Sequence, residues 1–471
     1  MDKKNLIEYD FQVEKYYVPA FSLNTYFIVS DEECALVDPI FDPALYDQLL
    51  EETSTTLKYI FLTHEPYQYI SNYEELAKKT EAQVVMGEYG NQNFKNKNES
   101  IFELGKIKIK LINTPGFTKD STSYILINSK GVEKAIFTGA TVTLGDVGHS
   151  QLIDGTTEED KNNKAQELFT SIEVIKKLDP NITVFPGYGP DSVCGGKSEQ
   201  GHSCHLSLQL ETNPYFKMEK EEFINRVKST FQKMPPFYQK ISKTNIPSGK
   251  TMEGILSEIK HLSSDEIKKM IADDTAKEIF IIDTRDQGIS TKGYIKSSMI
   301  MSLKVGFVKF FLCLMNPKNK YIIITEKNKQ NESINLIMQM GYFNILGYSD
   351  IETWKEGGNE CENVLYEQTT VENITTLIEN KEYIIDIREV PEFKSVGIIK
   401  GAVLSPLSGF AAKYNEVPKD KTIHILCKSG ARAAIAYSFL KRMGYENKLI
   451  ILEGACMKLE TLQYQFEHYQ Q

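Results

Sequence analysis

Twice in this chain, an apolar run suited to a buried parallel strand ends on an aspartate and an arginine two residues apart. The two runs are Glu278-Ile-Phe-Ile-Ile-Asp-Thr-Arg285 and Glu382-Tyr-Ile-Ile-Asp-Ile-Arg388. The repetition extends beyond each pair. Tyr321-Ile-Ile-Ile-Thr325 and Ile423-His-Ile-Leu-Cys427 form a second apolar run, and a helix-forming stretch comes after each (Glu332 to Met340, Ala431 to Met443). Gly341-Tyr-Phe-Asn344 is then echoed by Gly444-Tyr-Glu-Asn447. Short β-branched runs alternating with helices build a parallel sheet, and self-similarity on this scale marks a duplicated module. Residues 250–365 and 366–471 are therefore expected to be two copies of one α/β domain. An Asp-x-Arg pair could act as acid and base in a hydrolase. At a buried strand end, the expected role is a mutually paired scaffold that holds the next turn.

The copies part company at the loop after the second strand. In the first it reads Glu326-Lys-Asn-Lys-Gln-Asn331, with neither cysteine nor glycine; in the second it reads Cys427-Lys-Ser-Gly-Ala-Arg432. A cysteine at a strand-to-helix turn sits where backbone N–H groups and the positive helix end converge. That setting favours a thiolate and can hold an anion beside it. Lys428 and Arg432 flank the sulfur, and Gly430 permits the turn. We take Cys427, Lys428 and Arg432 as candidate catalytic residues, with Ser429, Gly430 and Ala431 as candidate substrate-binding residues through their backbone. The competing reading is an inert core cysteine that closes a strand.

Length and composition bound the rest. A chain of 471 residues exceeds one ordinary core. Its net charge of −10, with no basic block, argues against nucleic acid or an anionic membrane as partner. No run reaches the roughly 18 apolar residues that a spanning helix needs, and the first residues lack the apolar segment of a secretory signal. Seven scattered cysteines, at 34, 194, 204, 313, 361, 427 and 456, suggest reduced thiols of the cytoplasm rather than a disulfide framework.

Residues 1–245 alternate β-type runs with single helices, the pattern of a layered α/β domain. The loops that end these strands carry Thr63-His64-Glu-Pro-Tyr-Gln-Tyr69, Thr114-Pro-Gly-Phe117, Thr138-Gly-Ala140 and Pro186-Gly-Tyr188, in that order. They resemble the four metal-site loops of the metallo-β-lactamase superfamily, which implies an αββα fold. The resemblance places metal-binding histidines or aspartates at His64, Pro66, Gln68, Tyr69, Phe117, Ala140 and Tyr188. Of these, only His64 offers an imidazole. One imidazole cannot hold zinc or iron, which take about three or four donors, so no metal ligand and no cofactor is assigned. The alternative is one Fe or Zn at a rebuilt site. Cys194, His202, Cys204 and His205 lie close together in a glycine-rich stretch that could supply it, although the spacing matches no zinc finger or ribbon. His149 stands where related dioxygenases carry a substrate-holding arginine, and its expected place is a surface loop.

The duplicated modules resemble rhodanese domains, with the active loop only in the second. The whole chain thus resembles fused persulfide dioxygenase–sulfurtransferases: a metallo-β-lactamase-like domain, then two α/β rhodanese-like domains. The resemblance implies a sulfurtransferase in which Cys427 attacks a donor sulfur and becomes a persulfide, discharged by a second thiophile. The expected partners are a small-molecule sulfur donor (thiosulfate or a low-molecular-weight persulfide) and a thiol acceptor. The N-terminal domain is expected to serve assembly, as the seat of any homo-oligomer, or substrate capture. A cysteine-phosphatase loop would carry one more residue between cysteine and arginine. Two other readings stay open: a dioxygenase or hydrolase with an unconventional metal site, and a non-enzymatic sulfur sensor or relay scaffold.

Overall fold

The computed structural model describes residues 4–152, 156–189, 203–233, 241, 247–304 and 306–469. The chain divides into two compact units, residues 1–245 and 246–471.

In the first unit, two six-stranded sheets face each other. One runs Lys4–Glu8, Phe11–Val18, Leu23–Ser30, Glu33–Val37, Thr56–Phe61, Gln83–Val85; the other runs Cys204–His205, Thr183–Pro186, Glu133–Gly139, Thr122–Ile127, Ile107–Asn113, Ile101–Leu104. Alternate residues of each strand point inward, so Val13, Ile28, Val37 and Phe61 of one sheet meet Leu104, Ile109, Leu126 and Phe137 of the other in a dry core. The second sheet turns Ile125, Ile136 and Val184 outward, where Leu168 and Ile172 of the helix Glu158–Ile175 cover them, with Phe223 and Val227 of Lys220–Thr230. Thr157 starts the first of these helices with a capping box to Asp160. The helices Pro43–Thr53 and Tyr73–Thr80 bury Tyr46, Leu49, Tyr73 and Leu76. The layers are αββα, as the loop frames imply.

The second unit holds two parallel sheets with the same order of strands. In the first, Met299–Ile300, Ile279–Asp283, Lys320–Ile324 and Ile345–Ser349 lie side by side. In the second, Val403–Leu404, Tyr383–Asp386, Ile423–Leu426 and Leu449–Glu453 repeat that order, with Tyr366–Gln368 added at the edge. The Asp-x-Arg pairs are buried scaffolds in both. Arg285 Nη2 donates to Asp283 Oδ2 at 2.6 Å and to Gly293 O at 2.7 Å. Arg388 Nη2 donates to Asp386 Oδ2 at 2.7 Å and to Gly397 O at 2.9 Å. Each arginine ties a strand end to the turn after it, which is why the motif recurs with its glycine.

The two modules lock together within this unit. Arg442 Nη2 donates to Lys277 O and Ile279 O at 2.7 and 2.8 Å, and its guanidinium lies 4.4 Å from the Phe280 ring centroid. Ile300 N donates to Ser438 Oγ at 3.0 Å, and Lys309 pairs with Glu389 at 2.9 Å.

Candidate functional site

The strand Ile423–Leu426 is buried along its length, and Cys427 comes directly after it. Gly430 adopts φ 109°, a left-handed turn that a side chain would strain, and the helix Ala431–Arg442 starts at the next residue. The turn folds the loop back over the sulfur. Gly430 N donates to Cys427 Sγ at 3.0 Å, so a backbone N–H at the positive end of a twelve-residue helix faces the thiol. Negative charge on this sulfur, as thiolate or as persulfide, is met by that group without rearrangement.

Cys427 itself is fully buried, at 0% exposure. Its setting in sequence does not show this. Lys428 and Ser429 are exposed on the loop, as is Ala431. A cavity of about 530 Å³ opens beside Ser429 and Gly430, and the first module supplies part of its wall through Gln287, Thr291 and Lys292. A smaller cavity of about 170 Å³ lies between Ala431 and Arg432 on one side and Met301, Phe307 and Phe310 on the other. The copy without a loop cysteine thus borders the loop of the copy that has one.

Arg432 does not stand free to meet a donor. Its Nη2 donates to Glu392 Oε1 at 2.7 Å, and its Nη1 donates to Glu392 Oε2. Burial works against charge on Arg432, but Glu392 and Cys427 favour it and hold the guanidinium above its ordinary value. Burial likewise works against charge on Glu392, and Arg432 with the Glu389 N–H more than offsets this, leaving the carboxyl below the usual range. Glu392 escaped the sequence reading. Its only visible signal is a capping-box spacing with Glu389, which marks a helix start and says nothing about Arg432.

In the first module, Thr325 takes the place of Cys427. Its hydroxyl is 3.1 Å from Ser333 Oγ, which lies 3.0 Å from Thr284 Oγ1. Glu326 pairs with Lys329 across the loop. No thiol stands there, a carboxylate replaces Lys428, and long polar side chains replace the small residues of the active loop.

The metal-loop frames of the first unit converge as expected, on a different set of side chains. Asp38 accepts from Thr63 N at 2.8 Å and from Thr63 Oγ1 at 2.7 Å. Thr63 Oγ1 is 3.0 Å from His64 Nδ1, and His64 Nε2 is 3.0 Å from Tyr188 Oη. Phe117 stands edge-on to the imidazole at 5.4 Å, with Tyr67 at 6.2 Å. Both ring nitrogens of His64 are engaged, and Phe117, Ala140 and Pro66 bring no donor. These residues do not make a divalent metal site. Among the described residues, no group of three or more His, Cys, Asp or Glu could hold a metal ion. The glycines of the frames persist for packing reasons: a Cβ on Gly139 would lie 2.4 Å from Thr63 Oγ1, and one on Gly116 2.4 Å from the Leu168 backbone.

Of the glycine-rich cluster, Cys194 and His202 lie outside the described residues. Cys204 and His205 form an edge strand on Thr183–Val184; Cys204 Sγ accepts from Gln209 at 3.2 Å, and His205 Nδ1 is 2.9 Å from Asn181 O. His149 is not a surface histidine. Its side chain is 14% exposed, with Nε2 3.1 Å from Asp146 Oδ1 and the ring against Tyr215, because the Tyr215 segment packs over its loop.

Comparison with known proteins shows the same division. A rhodanese-like domain model matches residues 370–461. The probable polyketide biosynthesis zinc-dependent hydrolase PksB of Bacillus subtilis is 29% identical over 212 residues, covering 42% of this chain and 84% of that protein. The hydroxyacylglutathione hydrolase of Brucella ovis is 27% identical over 168 residues, covering 34% of this chain and 60% of that protein. Among solved structures, a metallo-β-lactamase from Staphylococcus aureus superposes with a TM-score of 0.59 at 23% identity, over 72% of this chain and 99% of that one.

Proposed function

We propose, for a chain that joins a metallo-β-lactamase-like fold to a C-terminal rhodanese-like domain, that it is a sulfurtransferase carrying sulfane sulfur as a persulfide on Cys427. The observation that supports this most is the Gly430 N–H aimed at Cys427 Sγ from the start of a helix. In the reaction, the Cys427 thiolate attacks the outer sulfur of the donor. The Cys427 S–S bond forms as the donor's own bond to that sulfur breaks, and the donor remainder (sulfite, when the donor is thiosulfate) leaves with the electron pair. A thiol or cyanide then attacks the outer sulfur and returns the thiolate. Gly430 N–H stabilises both anions, and exposed Lys428 draws the anionic donor to the 530 Å³ cavity.

In this reading the first unit is a pseudoenzyme domain without a metal, kept for assembly or substrate capture, and the protein works on small molecules of sulfide and persulfide metabolism in the cytoplasm. Thiosulfate:cyanide and persulfide:thiol transfer by the wild type and Cys427→Ser test it. Transfer is expected to vanish in the variant, and unchanged transfer overturns the proposal.

A second reading has its own support, since the relatives aligned with the first unit bear the names of hydrolases. It requires one Fe or Zn at a rebuilt site. Stoichiometric metal in the purified protein, lost with Cys204→Ser or His205→Ala, would establish it.

A further inference from the structure

We propose that Cys456 is a second sulfur-handling residue of this module: a resolving thiol that displaces the outer sulfur of a Cys427 persulfide as hydrosulfide and leaves a Cys427–Cys456 disulfide. The inference rests on the persulfide reading of Cys427. Three observations carry it.

The first is proximity. Cys456 N donates to Cys427 O at 3.3 Å, and Met457 N to Lys428 O at 3.1 Å, so the segment carrying Cys456 is clamped to the active loop. A backbone hydrogen bond of that kind brings two α-carbons into the range that a disulfide spans, about 4.4–6.8 Å. Both cysteines are fully buried, at 0% exposure, and both are free thiols.

The second is one unused donor on a buried, ion-paired arginine. Arg388 is 1% exposed, and its Nε and Nη2 are committed to Asp386 and Gly397, while Nη1 has no hydrogen-bond partner among the described residues. Burial pushes the Cys456 thiol up, Arg388 pulls it back, and Asp386, Cys427 and Glu460 oppose ionisation. A buried donor without an acceptor is costly at rest. It is of use when negative charge passes onto the sulfur beside it.

The third comes from the duplication. The helix Ala455–Thr461 has Cys456 as its second residue; in the other copy, the second residue of Ile351–Glu356 is Glu352. The copy with Thr325 for the nucleophile therefore also lacks a thiol at the second position.

The step balances without an outside oxidant. The Cys456 sulfur attacks Cys427 Sγ, forming the Cys427–Cys456 bond, while the bond from Cys427 Sγ to the outer sulfur breaks. That sulfur leaves as HS⁻, carrying the electron pair and the proton given up by Cys456. The sulfane sulfur is reduced by two electrons as the two cysteine sulfurs are oxidised to a disulfide, and a dithiol reductant resets the pair.

The test loads the full chain with thiosulfate in the absence of any acceptor and follows the intact mass and released sulfide. The wild type is expected to gain one sulfur atom, then lose it as hydrosulfide and end two hydrogens lighter, with Cys427 and Cys456 in one cross-linked peptide. Cys456→Ala, with Cys456→Val as a second apolar replacement, is expected to keep its added sulfur several-fold longer. Equal sulfide release from wild type and both variants overturns the proposal. A second arm treats wild type with a diazenedicarboxamide thiol oxidant, which needs no persulfide. A Cys427–Cys456 cross-link is expected there, and its absence overturns the proposal. Failure to load any sulfur, with the cross-link still formed by the oxidant, contradicts the transferase reading instead.

Discussion

Thr325 occupies in the first module the position that Cys427 holds in the second. Asp283 is paired with Ile324, and Asp386 with Leu426, so the residue after each strand is the threonine in one copy and the cysteine in the other. A thiol alone would not make the first copy a sulfur carrier. Its loop has Glu326 where Lys428 stands, and its left-handed turn falls on Asn328 (φ 66°) instead of a glycine. Thr325→Cys in a Cys427→Ser background is expected to restore no thiosulfate:cyanide transfer, and restored turnover would show that the strand end suffices.

Arg388 is the pin of the second module. Removing one member of a buried ion pair leaves the other charge uncompensated, at a cost of about 3–5 kcal/mol. Arg388→Met is expected to lower stability by that amount in urea melts of the full chain. A loss below about 1 kcal/mol, the range of surface pairs, would contradict the buried-scaffold role.

His424 lies in the strand that delivers Cys427, is 5% exposed, and has Glu367 at 3.5 Å and Glu382 at 3.9 Å. Burial holds its pKa below the ordinary value, and the two glutamates only partly offset this. The unfolded chain therefore binds the proton first. Stability is full above the unfolded value, about 6.5, and falls as pH drops from there through the folded value. Thermal melts should show this slope below about pH 6.5, and His424→Asn should flatten it. An unchanged slope in the variant would rule out His424 as its source.

Glu392 neutralises the arginine of the active loop. Glu392→Gln is expected to lower KM for thiosulfate, because Arg432 is then free to attract the dianion. The same change should cost about 1.5–3 kcal/mol of stability, the worth of a charge-assisted hydrogen bond at this burial. A raised KM would assign Arg432 its role through Glu392 rather than through the donor.

Locality decides which features could be read from the sequence. The strand Lys320–Ile324 and its counterpart Ile423–Leu426 are continuous apolar runs and were legible, as was the glycine turn between Cys427 and the helix. The strand Phe11–Val18 was not, because Glu14 and Lys15 interrupt its pattern; both are buried in the fold, Glu14 with the Tyr16 hydroxyl and Lys15 against the Tyr17 ring. The frames around Phe117 and Tyr188 were legible because Gly116 and Gly139 are required by close backbone packing. The hydrogen-bonded set that fills them, Asp38 to Tyr188, joins residues from three distant segments. The Arg432–Glu392 pair and the complete burial of Cys427 likewise depend on tertiary contacts that no local pattern encodes.

The most direct test is the mass of the protein itself. Wild type and Cys427→Ser are mixed briefly with thiosulfate, freed of small molecules before sulfide release sets in, and weighed intact before and after cyanide. The expected result is a single added sulfur atom on wild type, located on the Cys427 peptide and removed by cyanide as thiocyanate, with none on the variant. An added sulfur that persists in Cys427→Ser, or a wild type that never gains one, would contradict the assignment of Cys427 as the sulfur carrier.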